Sequence, residues 1–350
     1  MNFTTAGRIN SVARARIRKG VGAPGDVILS HKGTVGKVAV APDDSPEFVC
    51  SPQTTFWRSL DESVISQAYL RYILVSSDFA RQLDLLKGQT DMAPYVSLTD
   101  QRSMTLTLPD IPQQRAIAEV LGALDDKITA NTKLAEVSDQ LAITMLLSLQ
   151  PAVPLSVVVR YHKKTKNPES MGTAEAAHFS LPAFDAGRRP EVTPPTDIKS
   201  SKFSIEQPSV LISKLNPRFP RVWDVANVPD IPALASTEFL VLEPLYSSTT
   251  FLWAMLSQPA FGLALESKVA GTSGSHQRVK PADLLDTPVL DPRDMPASLR
   301  DQVTSLGRRG SQARTESSSL TQIRNSLLPQ LMSGKLQVKD AETVLEGAGV

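Results

Sequence analysis

The chain has 350 residues, 41% hydrophobic and 21% charged, which excludes a disordered composition and leaves room for two ordinary domains. Lys+Arg number 37 against 36 Asp+Glu, a net charge of +1, so nucleic-acid contact has to come from locally placed charge rather than from a global field. The single cysteine, Cys50, excludes a disulfide framework and a Cys-rich zinc site, and the four histidines show no metal-ligand spacing. No apolar run approaches the ~20 residues of a membrane-spanning helix, and the N-terminus has no signal-peptide pattern, so a cytoplasmic setting is expected.

Residues 1–24 carry Arg8, Arg14, Arg16, Arg18 and Lys19 with no acidic residue. Such a run suits phosphate contact, or else is a flexible basic tail. A β-rich segment follows, Val27-Ile28-Leu29 and then 35–40, with Gly33-Thr34-Val35-Gly36-Lys37 between. That pentapeptide fails as a phosphate loop, because position 31 is His where Gly is required and Val38 replaces Ser/Thr; a strand-to-strand turn is expected. Apolar residues at helical spacing predict a helix over 66–86, a polar loop over 87–93 and a Thr- and Leu-rich strand ending at Pro109.

A long helix is expected next, from Gln113 to Leu149, with Pro112 in its first turn. Ile117, Leu121, Leu124 and Ile128 recur at spacings 4, 3 and 4, a coiled-coil seam. The same order of parts then repeats. Gly25-Asp26-Val27-Ile28-Leu29-Ser30-His31 lies over Pro208-Ser209-Val210-Leu211-Ile212-Ser213-Lys214 at an offset of 183, which also sets Thr54-Thr55-Phe56 over Thr237-Glu238-Phe239 and Lys87-Gly88 over Ala270-Gly271. A strand over 155–159, a helix over 249–266, a loop over 270–278 and a strand ending at Pro292 are expected, then a second long helix seamed by Leu299, Val303, Leu306, Leu320, Ile323 and Leu327. Gly307 and Gly310 argue against its being unbroken. Two ordinary domains, each closed by a surface helix, are the alternative.

No Gly-x-Gly-x-x-Gly opens a helix after a strand, and no Gly-x-Ser-x-Gly or His-Glu-x-x-His element is present. Asp43-Asp44 and Asp125-Asp126 read as a turn and a solvated helix face, so no catalytic set is expected and a stand-alone nuclease is not indicated. The candidate DNA contacts lie instead at matching places in the two copies. Arg14, Arg16, Arg18 and Lys19 supply the basic run. His31, Lys32, Lys87, Gln89 and Thr90 belong to the first copy. Lys214, Asn216, Arg218, Arg221, Thr272, Ser273, Ser275, His276, Gln277 and Arg278 belong to the second. These side chains can bond base edges in a major groove.

The Gly-Asp-Val-Ile-Leu strand, the Gly-Thr-Val-Gly-Lys turn, Ile111-Pro112-Gln113-Gln114-Arg115-Ala116-Ile117-Ala118, Leu211-Ile212-Ser213-Lys214-Leu215-Asn216-Pro217-Arg218 and the ending Leu327-Leu328-Pro329-Gln330-Leu331-Met332-Ser333-Gly334-Lys335-Leu336 together resemble a Type I restriction-modification specificity (S) subunit. The resemblance implies an α+β fold: two similar α/β-type target-recognition domains (1–110 and 151–293) separated by two long antiparallel coiled-coil helices (111–150 and 294–336), with a flexible tail over 337–350. It implies a non-catalytic subunit that reads a split site on double-stranded DNA. Two methylation subunits would dock through Gln113, Arg115, Ile117, Leu121, Leu124, Ile128, Leu327 and Leu331, and a restriction subunit would join them. S-adenosylmethionine, ATP and Mg would be bound by those partners, with no cofactor or metal in this chain. The second copy begins near Pro151, so the first is expected to lack about thirty residues at its start. A degenerate scaffold that holds methylation partners without reading both half-sites is the alternative.

Overall fold

The computed structural model describes residues 3, 5–87, 93–218, 220–268 and 277–347. The chain divides into two compact units, 1–130 with 316–350, and 131–315. Both boundaries fall inside long helices, Ile111–Thr144 and Ala297–Met332.

The first unit holds a three-stranded antiparallel sheet in the order Val38–Val40, Val27–Ser30, Thr54–Trp57. Val27, Leu29, Tyr69, Phe79 and Leu83 form its core together with Ile117, Leu121 and Leu124 of one long helix and Leu320, Leu327 and Leu331 of the other. The buried Asp26 of the Gly-Asp-Val-Ile-Leu segment is held by Arg58 in two bonds of 2.6 and 2.7 Å. The helix expected over 66–86 is two, Gln67–Ile73 and Ser77–Leu86, because Ser76 caps the second by accepting from the Phe79 N–H. A helix, Leu98–Ser103, stands where a strand was expected, closed by a Ser97–Asp100 capping box. Residues 104–110 that follow lie outside any strand.

The second unit has a four-stranded antiparallel sheet, Val222–Val225, Ser209–Ser213, Phe239–Pro244, Val159–His162, and a five-stranded sheet built on Ala176–Phe179, Ala233–Ala235 and Lys202–Ile205. The segment expected as a strand over 155–159 is a helical turn, Leu155–Val158, that feeds the strand Val159–His162. Here too one expected helix is two, Thr249–Leu256 and Pro259–Glu266, since Pro259 disfavours helical backbone at the residue before it. No counterpart of the five-stranded sheet occurs among the described residues of the first unit.

Ala297–Met332 runs unbroken through Gly307 and Gly310. The glycines are there for close approach: a Cβ on Gly307 would lie 2.0 Å from Thr250 Cγ2, and one on Gly310 would lie 3.5 Å from the Ala135 carbonyl oxygen. In the first unit the two long helices run antiparallel, Asp125 with Arg324 (2.8 Å) and Lys127 with Glu316 (3.1 Å). In the second, Asp139 meets Arg314 at 3.0 Å while Ala142, Leu146 and Val303 share one core. Asp125 is therefore no solvated carboxylate: it also accepts from the Tyr72 hydroxyl at 2.9 Å. Nor is 337–350 a flexible tail over its described length. Val338–Gly347 is a helix that buries Ala341 and Leu345 in the first unit's core.

Candidate nucleic-acid interface

Each unit closes its main sheet with the same frame of backbone bonds. In the first, the Val96 N–H donates to the His31 carbonyl (2.9 Å), Gly33 N–H to Pro94 (2.8 Å), and His31 N–H to Gln53 (2.9 Å). In the second, Val279 donates to Lys214 (3.0 Å), Asn216 to Gln277 (2.9 Å), and Lys214 to Glu238 (2.8 Å). Isolated bridges join Lys32 to Tyr95 and Leu215 to Arg278. The turn after the first strand needs a residue with positive φ in both: Gly33 at 77° and Asn216 at 51°. Asn is among the few residues with a side chain that visit this region readily.

The strand-end loop and the loop before the short helix therefore meet in each unit. Residues 31–37 meet 94–96, and 214–221 meet 277–279. The expected strand-to-strand turn at 33–37 is present, with positive φ at both glycines and Gly36 N–H donating to Ser30. Gln89, Thr90, Thr272, Ser273, Ser275 and His276 lie outside the described residues.

Around the first frame Lys32 is exposed and Lys87 pairs with Asp84. His31 is buried rather than presented to a ligand: its Nδ1 lies 3.0 Å from the Val96 carbonyl and its ring 5.4 Å from that of Tyr95. An imidazole spending its N–H on that carbonyl holds the loop in place. Of the basic run, Arg16, Arg18 and Lys19 are exposed, whereas Arg14 makes two bonds to Glu47 at 2.6 and 2.8 Å. This segment is ordered by a helix, Ser11–Arg16, capped by Asn10, and by a strand, Val21–Gly22, paired with Phe48–Val49. It is not a loose tail.

Around the second frame Arg218 is exposed at the turn and Lys214 and Gln277 are half-buried. Arg221 is tied to Asp185 by two bonds, 2.8 and 2.9 Å, and its guanidinium holds the Asp185 carboxyl below the usual carboxylate range. That pairing leaves Arg221 a brace of the loop more than a free reader. Arg278 is 62% exposed and donates to Glu238 Oε1 at 2.7 Å. Lys214, Glu238, Arg278 and Lys280 line an open depression. Among the described residues neither Glu238 Oε2, in that depression, nor the buried Asn216 Oδ1 has a hydrogen-bond partner. Buried acceptors without a partner are uncommon in native structures.

Gln53, Tyr95 and Glu238 were missed from sequence. Tyr95 was reachable, since it stands at the offset of 183 from Arg278. Gln53 and Glu238 were not: the ladder pairs Ser30 with Thr54 but Ser213 with Phe239, so the second copy is two residues longer between these strands. Glu238 corresponds to Gln53, not to Thr55 as the constant offset implied. A shift of two preserves the side-chain face.

Six of the eight residues expected to hold partners serve this chain's own packing. Ile117, Leu121, Leu124, Leu327 and Leu331 are each at most 4% exposed, and Ile128 packs beside them. A seam wants a helical partner, and the other long helix of the same chain supplies it. Arg115 is exposed and Gln113 half-exposed. The adjacent Gln114, not singled out in the sequence, is a buried clamp that accepts from Ser66 N–H (2.9 Å) and donates to Val64 and Pro109 carbonyls. Among the described residues no helix is long and apolar enough to cross a membrane, and no cluster of three or more His, Cys, Asp or Glu could hold a metal ion.

Residues 7–138 match the family model described as the Type I restriction modification DNA specificity domain. The fold is similar to the Type-I restriction-modification system S subunit from M. genitalium (TM-score 0.54, 17% identity, covering 90% of this chain and 85% of that one). The HsdS subunit from Thermoanaerobacter tengcongensis aligns over 92% of this chain and 85% of its own, at 17% identity and a TM-score of 0.32. A comparison with curated protein sequences gives no significant match. Residues 7–138 thus carry the Type I restriction modification DNA specificity domain, and the chain has a fold similar to that of a solved S subunit.

Proposed function

We propose that this chain is the DNA-reading, non-catalytic subunit of a Type I restriction-modification complex, with each unit reading one half of a split site. The observation that carries this reading is the duplicated frame. Two distant loops are locked together by the same bonds in both units, and the residues exposed at the frame differ between them: Lys32 and Tyr95 in one, Arg218 and Arg278 in the other. A conserved backbone with exchangeable polar tips suits reading different sequences with one geometry. The exposed Arg16, Arg18 and Lys19 supply the sequence-independent phosphate contacts.

Methylation subunits, two in number, dock on the long helices, and a restriction subunit joins for cleavage. With most seam residues buried, the first unit offers Arg115, and the second offers the apolar stripe Leu134, Val137 and Leu141, which are 40%, 55% and 46% exposed. S-adenosylmethionine, ATP and Mg are bound by those partners. The test is methylome sequencing of a strain carrying the chain with its methylation subunit, and of the same strain without it. A split motif that appears only with this chain is expected; an unchanged methylome overturns the reading. The alternative, a scaffold whose first unit does not read DNA, draws on that unit's smaller sheet and is met if the motif has a single half.

A further inference from the structure

We propose that the position formed by Gln53 with Tyr95 in the first unit, and by Glu238 with Arg278 in the second, selects one base pair in each half-site: A·T for the first, G·C for the second. The inference rests on the DNA-reading function and adds to it the identity of the selecting residues and the chemistry of their targets.

The equivalence is set by backbone bonds rather than by sequence. The Gln53 and Glu238 carbonyls each accept from the residue that follows the central strand, His31 and Lys214, and Tyr95 and Arg278 each form the bridge one position on. Everything that holds the frame is thus repeated, while these two side chains change together. In the second unit they meet: Arg278 donates to Glu238 Oε1. A guanidinium and a carboxylate side by side complement a G·C pair, with Arg on guanine O6 and N7 and Glu accepting from cytosine N4. Glu238 Oε2, without a partner among the described residues and in the depression lined by Lys214 and Lys280, is the acceptor left to take that amino group. With Arg278 62% exposed, the ion pair is cheap to open for a base. In the first unit Gln53 is exposed, its Oε1 engaged among the described residues by a 3.4 Å contact from the Ser51 hydroxyl, and Tyr95 is 44% exposed. A carboxamide bonds adenine N6 and N7 in a bidentate way, and an aromatic ring makes apolar contact with the thymine methyl.

The experiment exchanges the pairs in the full chain co-expressed with its methylation subunit and reads the methylome. Glu238→Gln with Arg278→Tyr is expected to replace one G·C by A·T in a single half-site and leave the other half unchanged. Gln53→Glu with Tyr95→Arg is expected to do the reverse in the other half. An unchanged motif in a complex that still methylates overturns the proposal while leaving DNA reading intact; absence of any motif with the wild-type chain overturns DNA reading itself. Should the double variants fail to assemble, purified complex carrying Glu238→Gln alone is compared with wild type on duplexes differing at that one pair. A loss of preference of roughly tenfold or more, confined to that position, supports the assignment. Equal weakening on every duplex overturns it.

Discussion

Gly33 and Asn216 occupy the same turn in the two units, each donating its N–H to the loop that crosses beneath it, at φ of 77° and 51°. The frame tolerates a side chain here only if that side chain accepts left-handed backbone. Gly33→Val is therefore expected to destabilise the chain by ~1–2 kcal/mol in denaturant unfolding, the cost of left-handed backbone for a residue with a Cβ. Asn216→Gly is expected to leave stability nearly unchanged, and any effect it has on DNA binding then belongs to Oδ1.

Gly307 is the second test of close approach. Alanine is the better helix former by ~1 kcal/mol, yet its methyl would fall on Thr250 Cγ2. Gly307→Ala is expected to lower stability by roughly 1–3 kcal/mol, as overpacking does. Adding Thr250→Ser removes the nearest of the three clashing atoms but keeps Oγ1 (2.7 Å) and Cβ (2.9 Å), and is expected to recover only part of the loss.

Asp224 makes stability depend on pH. Burial raises its pKa above the ordinary carboxylate value, more than the hydroxyls of Thr249 and Thr250 lower it, and Oδ1 has no hydrogen-bond partner among the described residues. The folded chain holds this proton more tightly than the unfolded chain. Its contribution is therefore complete below the unfolded value of ~3.9 and is lost as pH rises through the raised folded value. Asp224→Asn abolishes that loss. Thermal unfolding from about pH 4 to about pH 8 is expected to show the variant gaining on wild type as pH rises; parallel curves would count against it.

Arg18 is exposed beyond an ordered helix, whereas Arg14 beside it is spent on Glu47. Arg18→Ala is expected to weaken binding to specific and random duplexes alike and to reduce the salt slope by about one unit. Arg14→Ala is expected to change the slope less. Binding measured across a salt series separates the two.

Leu141 lies 46% exposed on the stripe assigned to a methylation subunit. Leu141→Ala with Val137→Ala is expected to weaken assembly by more than ~1 kcal/mol in a titration against that subunit, with the melting temperature unchanged. Undiminished assembly would move the docking surface elsewhere.

The duplication, the strand-to-strand turn and the two long helices were legible in the chain alone, because each is a local pattern: a nearly constant offset, glycine spacing, apolar residues at 4 and 3. So was Tyr95 in principle, which that offset links to Arg278. What the seam packs against was not legible, since periodicity shows that Ile117 and Leu121 need cover but not whether the cover belongs to the same chain. The split of each expected helix in two turned on single caps and one proline, which periodicity averages over. Gly307 read as a weak point because its reason, Thr250, is 57 positions away. The correspondence of Glu238 with Gln53 was hidden by two extra residues between paired strands, and the bracing of Arg221 by Asp185 joins residues 36 apart. Local backbone preference and hydrophobic rhythm are written along the chain; which polar side chains meet is decided only when the fold brings distant segments within ~3 Å of one another.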